Sequence, residues 1–142
     1  MSFVYDKARE SFLGIASGSI NWTNDVIKAT LISSSYTPDQ ASHQFVFPSI
    51  SDHTGTWTPQ LLTSKTVTNG EAYAANITFP SIPVGSVVNY LVMYKETGIL
   101  NKSEWSLIAL LNSGSITGIP LTGSGAAVTI SFNTGANKIF KL

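Results

Sequence analysis

A chain of 142 residues with 8 basic and 8 acidic side chains, zero formal net charge and no cysteine is long enough for one compact domain and too short for two with good cores. Charged residues make up 11% of it, against about a quarter in ordinary proteins. The basic stripe that phosphate binding requires is therefore missing, nucleic acid is not an expected partner, and no disulfide framework is possible. So weakly charged a surface also repels its own copies poorly, which suits a protein that spends its life attached to something.

The opening "MSFVYDKARESFLGIASG" lacks the basic start and apolar core of a secretory leader. No apolar run approaches the roughly 18 residues of a membrane helix, so no membrane partner is expected. The N-x-[ST] triplets at Asn21, Asn76 and Asn101 then read as accidents of a Ser- and Thr-rich chain. From Asp6 to Ala16 the apolar residues Ala8, Phe12, Ile15 and Ala16 recur at helical spacing, with Lys7, Arg9, Glu10 and Ser11 on the other side. Gly14 or Gly18 is available to end that helix.

Strand vocabulary follows. "DVIKATLI" alternates, with Ile27, Ala29 and Leu31 on one face and Lys28 and Thr30 on the other. "HQFVFPSI" predicts a second strand stopped at Pro48. "PQLLTSKTVTNG" alternates weakly and closes on Asn69-Gly70, a hairpin signal. "EAYAANITF" places Tyr73, Ala75, Ile77 and Phe79 on a common face, and Val87 to Tyr94 is apolar on both faces, which predicts the central strand. After a turn at Lys95 to Gly98 come "SLIALLN", a short "GIPLTG", a flexible loop at Thr122 to Ala127, "AVTISFN" and a final "NKIFKL". Roughly seven to nine short strands punctuated by Gly, Pro and Asn, with no βαβ alternation, predict an all-β sandwich or small barrel.

Chemistry is sparse. His43 and His53 with Asp39 and Asp52 allow a metal site to be drawn, but without a helical pair or a cysteine they read as ordinary surface histidines. No "GxSxG" elbow is present, the eight carboxylates are scattered, and "GSGAA" lacks the lysine and helix of a phosphate cradle. No catalytic residue, metal or cofactor is expected, and the chain is not read as an enzyme. Among the aromatic residues Trp22 is expected in the core, whereas Trp57, in the polar "SDHTGTWTPQ", is expected to face a partner.

Four stretches, "FLGIASGSINWTNDVIKATLISSSYTPD", "VVNYLVMYKETG", "SLIALLNSG" and "VTISFNTGANKIFKL", resemble in the same order a set of small structural proteins of tailed bacteriophages. The matched positions are Trp22, Ile27, Ala29, Leu31, Tyr36, Tyr94, Gly98, Leu107, Ile108 and Leu142, and they look like scaffold. The middle of the chain departs: where relatives carry a Gly-rich "GYtaGG", this sequence has "SKTVTNGEAYAANITFPSI".

The resemblance implies an antiparallel β-sandwich of jelly-roll type with one short N-terminal helix, residues 1–142 forming one domain with an arm and helix at 1–18. It further implies a decoration or cement protein outside the phage head, made in the host bacterial cytoplasm, with the major capsid protein and its own copies, as dimer or trimer, for partners. Contacts are expected from an arm over Ser2 to Leu13 (Phe3, Tyr5, Arg9 and Phe12), from the loop His53 to Pro59 (His53 and Trp57) and from Gly123 and Ser124. Two alternatives stand beside this reading. One is a neck, tail or fibre-base protein; the other is a carbohydrate-binding sandwich using Trp57, Tyr36 or Tyr73 as stacking platforms.

Overall fold

The computed structural model describes residues 2–14, 19–98, 100–132 and 139–142. Strand β1 (Phe3–Val4) leads into helix α1 (Asp6–Phe12), which has Asp6 in its first turn and stops where Gly14 takes a left-handed φ of 83°. β2 (Ile27–Ser33) is followed by a long excursion carrying a helical turn at Val46–Ser49 and a 3-10 turn at Ser51–His53. Then come β3 (Gln60–Leu61), β4 (Thr66–Thr68), β5 (Glu71–Tyr73) and β6 (Ile77–Phe79). The long β7 (Val87–Lys95), β8 (Leu107–Leu111), β9 (Ile116–Thr117), β10 (Leu121–Thr122), β11 (Val128–Phe132) and β12 (Phe140–Lys141) complete the described elements.

The strands form three antiparallel sheets, so the fold is mostly β. The largest runs β1-β8-β7-β2-β3 with β10 also on β7; the others run β6-β11-β9 and β12-β5-β4. β7 lies where its two apolar faces require, between β2 and β8. Register sets Ala29 opposite Met93 and Leu31 opposite Leu91 on one face, and Lys28 opposite Tyr94 and Thr30 opposite Val92 on the other. All five residues of β8 are buried, so both of its faces are covered. At about 1.5–3 kcal/mol for each fully buried Leu, Ile or Val side chain, these strands supply much of the hydrophobic stabilisation. Residues of all three sheets, including Leu91, Ala72, Phe79 and Ile130, join one continuous core cluster.

Several expectations are corrected. "HQFVFPSI" is not a strand: Val46 and Ile50, four apart, turn to the core together, joined by a bond from Ile50 N–H to Val46 C=O (2.9 Å), while Pro48 has no N–H to give a ladder. "EAYAANITF" is two strands in different sheets, because the backbone leaves β5 to bond Thr63 C=O through Ala75 N–H and the inward parity changes from Ala72 to Ile77 and Phe79. The helix ends at Phe12, and the rest of the expected helix, Ile15 and Ala16, lies outside the described residues.

The stretch from Ser2 to Leu13 is not a free arm. Phe3 and Val4 pair with Leu110 and Ala109, Tyr5 is fully buried with its N–H on Ile108 C=O, and Ala8 packs inward. The loop Thr122 to Ala127 is likewise held. Gly123 N–H donates to Ser86 C=O (2.7 Å), Gly125 N–H to Ile82 C=O (2.7 Å), and Gly85 N–H returns a bond to Gly123 C=O (3.0 Å).

Candidate functional site

Among the described residues, the third sheet ends at β4 with no further strand paired to it. Asn69 and Gly70, with φ of 52° and 78°, form the two-residue turn that the sequence signalled, so Thr68 and Glu71 exchange backbone bonds. Val67, opposite Ala72 in the next, non-bonded pair, therefore turns its own N–H and C=O away from β5. All three residues of β4 are exposed and none is charged. The adjacent Lys65 directs its ammonium to Asp25 C=O, and burial lowers its pKa against the opposing pull of Asp25. The lysine, proline or bulge with which proteins blunt such edges is absent from β4 itself.

Beside this edge lies an apolar cleft of about 300 Å³ whose lining includes Phe12, Trp22, Val67, Phe140 and Leu142. Phe140 makes an edge contact with Trp22 at 5.1 Å and a tilted one with Phe12 at 6.0 Å. The Trp22 indole donates to Tyr73 C=O (3.2 Å), which anchors its polar end and leaves its body to the core. Phe140 also borders a smaller cleft holding Phe3 and Arg9. Three of the expected contact residues, Phe3, Arg9 and Phe12, thus gather around one C-terminal strand; Arg9 is exposed and ion-paired with Asp6 at 3.0 Å.

A second cleft, of about 340 Å³, opens over the Lys28–Thr30 face of the largest sheet. Trp105 stacks on Tyr94 with centroids 5.7 Å apart and planes 5° from parallel. Lys28 and Glu96 form an ion pair at 2.7 Å on its wall. Burial, followed by the Glu96 charge, pushes the Tyr94 hydroxyl well above the usual tyrosine range. Trp57, expected in the open, is 8% exposed. Its indole N–H is shared between Leu31 C=O (3.0 Å) and Thr30 Oγ1 (3.3 Å), and Gly55 sits so close that a Cβ there would meet its ring at 2.0 Å. Ser51, Thr54, Gly55 and Pro59, close to Trp57 in sequence, line the same cleft, so local composition misreports its burial.

The two histidines meet around Tyr36, with ring centroids 5.5 Å away for His43 and 5.4 Å for His53. Tyr36 Oη bonds His43 Nδ1 (2.6 Å) and the hydroxyl of buried Tyr5 (3.0 Å), and burial raises the pKa of both tyrosines. His53 Nδ1 bonds Ser35 Oγ (2.9 Å), which bonds Ser33 Oγ (2.6 Å). Asp39 gives its carboxylate to Ser42 and Ala41 within its own turn, and these bonds, those from Ser42 foremost, hold its pKa below the usual range. Among the described residues no group of three His, Cys, Asp or Glu side chains could hold a metal ion.

Of the remaining expected positions, Ser124 is exposed, but Gly123 is buried against Pro83 and Ile82. Trp22, Ile27, Leu31, Tyr94 and Leu107 are buried, whereas Gly98 is exposed with open space where a Cβ would stand, so packing does not require glycine there. Tyr36 is buried and offers no open stacking face, and Tyr73 is half-buried with its hydroxyl on Glu71 (2.7 Å). No protein-family model, curated protein or solved structure matches this chain.

Proposed function

We propose that this chain is a virion structural protein, a capsid decoration or cement protein that sits on the outside of a phage head and bridges its major capsid subunits. In this reading the three antiparallel sheets are the layers of a jelly-roll β-sandwich, and the role is one of binding, without catalysis or cofactor. The ordered resemblance supports it. The single structural observation that carries it is the uncharged edge of β4, with outward backbone groups at Val67 beside the cleft of Phe12, Trp22 and Leu142.

A strand of a shell subunit adds to that edge through the Val67 backbone, and one of its apolar side chains fills the cleft. Each contact is small. Symmetry repeats it over the head, and a chain that touches two subunits holds the second at high effective concentration, so parting the shell also requires stripping the bridge. Zero net charge leaves no strong repulsion from a shell of either sign. A neck, tail or fibre-base position would use the same surface in few copies.

The test is to mix the purified protein with phage heads that lack it and to follow binding and the melting of the shell. Saturable binding that raises the shell's melting temperature is expected. Val67→Lys, on an exposed position, should weaken binding at least about tenfold, equivalent to about 1.4 kcal/mol, without lowering the protein's own stability. Absence of binding, or full binding by Val67→Lys, would remove the basis of this proposal.

A further inference from the structure

We propose that the cleft over the Lys28–Thr30 face is a saccharide-binding site, taking about one or two pyranose rings. Its 340 Å³ falls at the small end of ligand pockets, which matches a short sugar better than a large cofactor. The chemistry of its wall selects the class. Half-buried Trp105 supplies the aromatic surface, with the buried Tyr94 it stacks on and buried Trp57 in the same lining, and Val46 and Ile50 add aliphatic groups, suited to the C–H face of a sugar ring. Opposed to them are groups that pair with hydroxyls.

The Lys28–Glu96 pair sets a donor and an acceptor 2.7 Å apart. Two neighbouring hydroxyls of one sugar match that pair, one accepting from the ammonium and the other donating to the carboxylate. Ser51, on the same wall, has a buried Oγ with no hydrogen-bond partner among the described residues. Such a group is costly to leave unpaired, and a ligand hydroxyl can both give to it and take from it.

Other ligand classes fit less well. A wholly apolar guest would desolvate Lys28, Glu96 and Ser51 without pairing them. A phosphate would meet the Glu96 carboxylate, which already engages Lys28, and would depend on Lys102, also on the lining, for its charge. The site is also pre-formed: the Trp57 indole is locked by two hydrogen bonds and the Trp105 ring lies on Tyr94, so little ordering is needed on binding. Occupancy of this cleft does not depend on the contact at β4.

The experiment is a titration of the ¹⁵N-labelled protein with maltose, cellobiose, lactose and chitobiose, each to about 20 mM, well above the Kd of a weak millimolar site. The three tryptophans give three indole signals, assigned by Trp→Phe variants. Binding of at least one disaccharide should shift the Trp57 and Trp105 signals and leave Trp22 in place. Trp105→Ala should weaken it at least about tenfold, the loss of one aromatic stacking contact. Glu96→Gln, which keeps the shape of the side chain, should weaken it several-fold and provides the reading if Trp105→Ala fails to fold. No shift with any of the four sugars, a shift of Trp22 alone, or affinities unchanged in Glu96→Gln and any folded Trp105→Ala would overturn the proposal.

Discussion

Replacing Gly123 by alanine tests whether the 122–127 segment is a clamp or a free loop. An added Cβ would stand 2.1 Å from Pro83 C=O, 2.8 Å from Ile82 Cγ2 and 2.9 Å from Ile82 C=O. Two of these three atoms are backbone, so the strain cannot be relieved by a rotamer change and the two segments must part. Overpacking of this kind costs about 1–3 kcal/mol. Parting also loosens the bonds from Gly123 N–H to Ser86 and from Gly85 N–H to Gly123, at about 0.5–1.5 kcal/mol each. The sum is about 2–6 kcal/mol. The control is Gly98→Ala, where nothing lies within 4 Å and φ is not in the left-handed region; it should fall within about 0.5 kcal/mol of the parent. Urea unfolding followed by tryptophan fluorescence measures both. A Gly123→Ala protein as stable as the parent would refute the clamp and restore the flexible loop expected from "TGSGAA".

Alkaline pH gives a second prediction. Burial raises the pKa of Tyr5, Tyr36 and Tyr94 above their ordinary 10.0, so above pH 10 the unfolded chain has released protons that the native one retains. The unfolded state then binds fewer protons, and stability, fully present below pH 10, falls by up to about 4 kcal/mol per pH unit for three such groups. Lys65, with its pKa lowered by burial, acts in the opposite direction below 10.5 as one group against three. Urea midpoints equal at pH 9.5 and 11 would contradict these burials. Gly70→Ala, at φ 78° in the β4–β5 turn, should cost about 1 kcal/mol by chemical denaturation, and no loss would mean that the turn is not held in that conformation. Gly55→Ala puts a Cβ 2.0 Å from the Trp57 ring; a loss of about 1–3 kcal/mol with altered tryptophan emission is expected, and neither change would show that Trp57 is free to swing out.

Much of the scaffold was legible because its signals are local. The two apolar faces of Val87 to Tyr94, the alternation of "DVIKATLI" and the Asn69-Gly70 turn each report the chain's own geometry, and each appears as a strand or turn at that place. Long-range packing was not legible. Trp57 lies in a polar stretch yet is covered by residues near and far in sequence, its indole reaching back to Leu31. Tyr5 looked like part of an arm because nothing near it says that Phe3 and Val4 pair with a strand more than a hundred residues later. The apolar cleft escaped for the same reason, being assembled from Phe12, Trp22, Val67 and Leu142. The parallel stack of Trp105 on Tyr94 is likewise a tertiary contact that spacing does not announce.

The most direct test of a capping role on a phage head is the copy number of this chain in purified particles, by quantitative mass spectrometry against the most abundant shell protein. A cement protein is expected in numbers comparable to the shell protein, with shells that become fragile when it is released. A handful of copies, or none, would contradict that role.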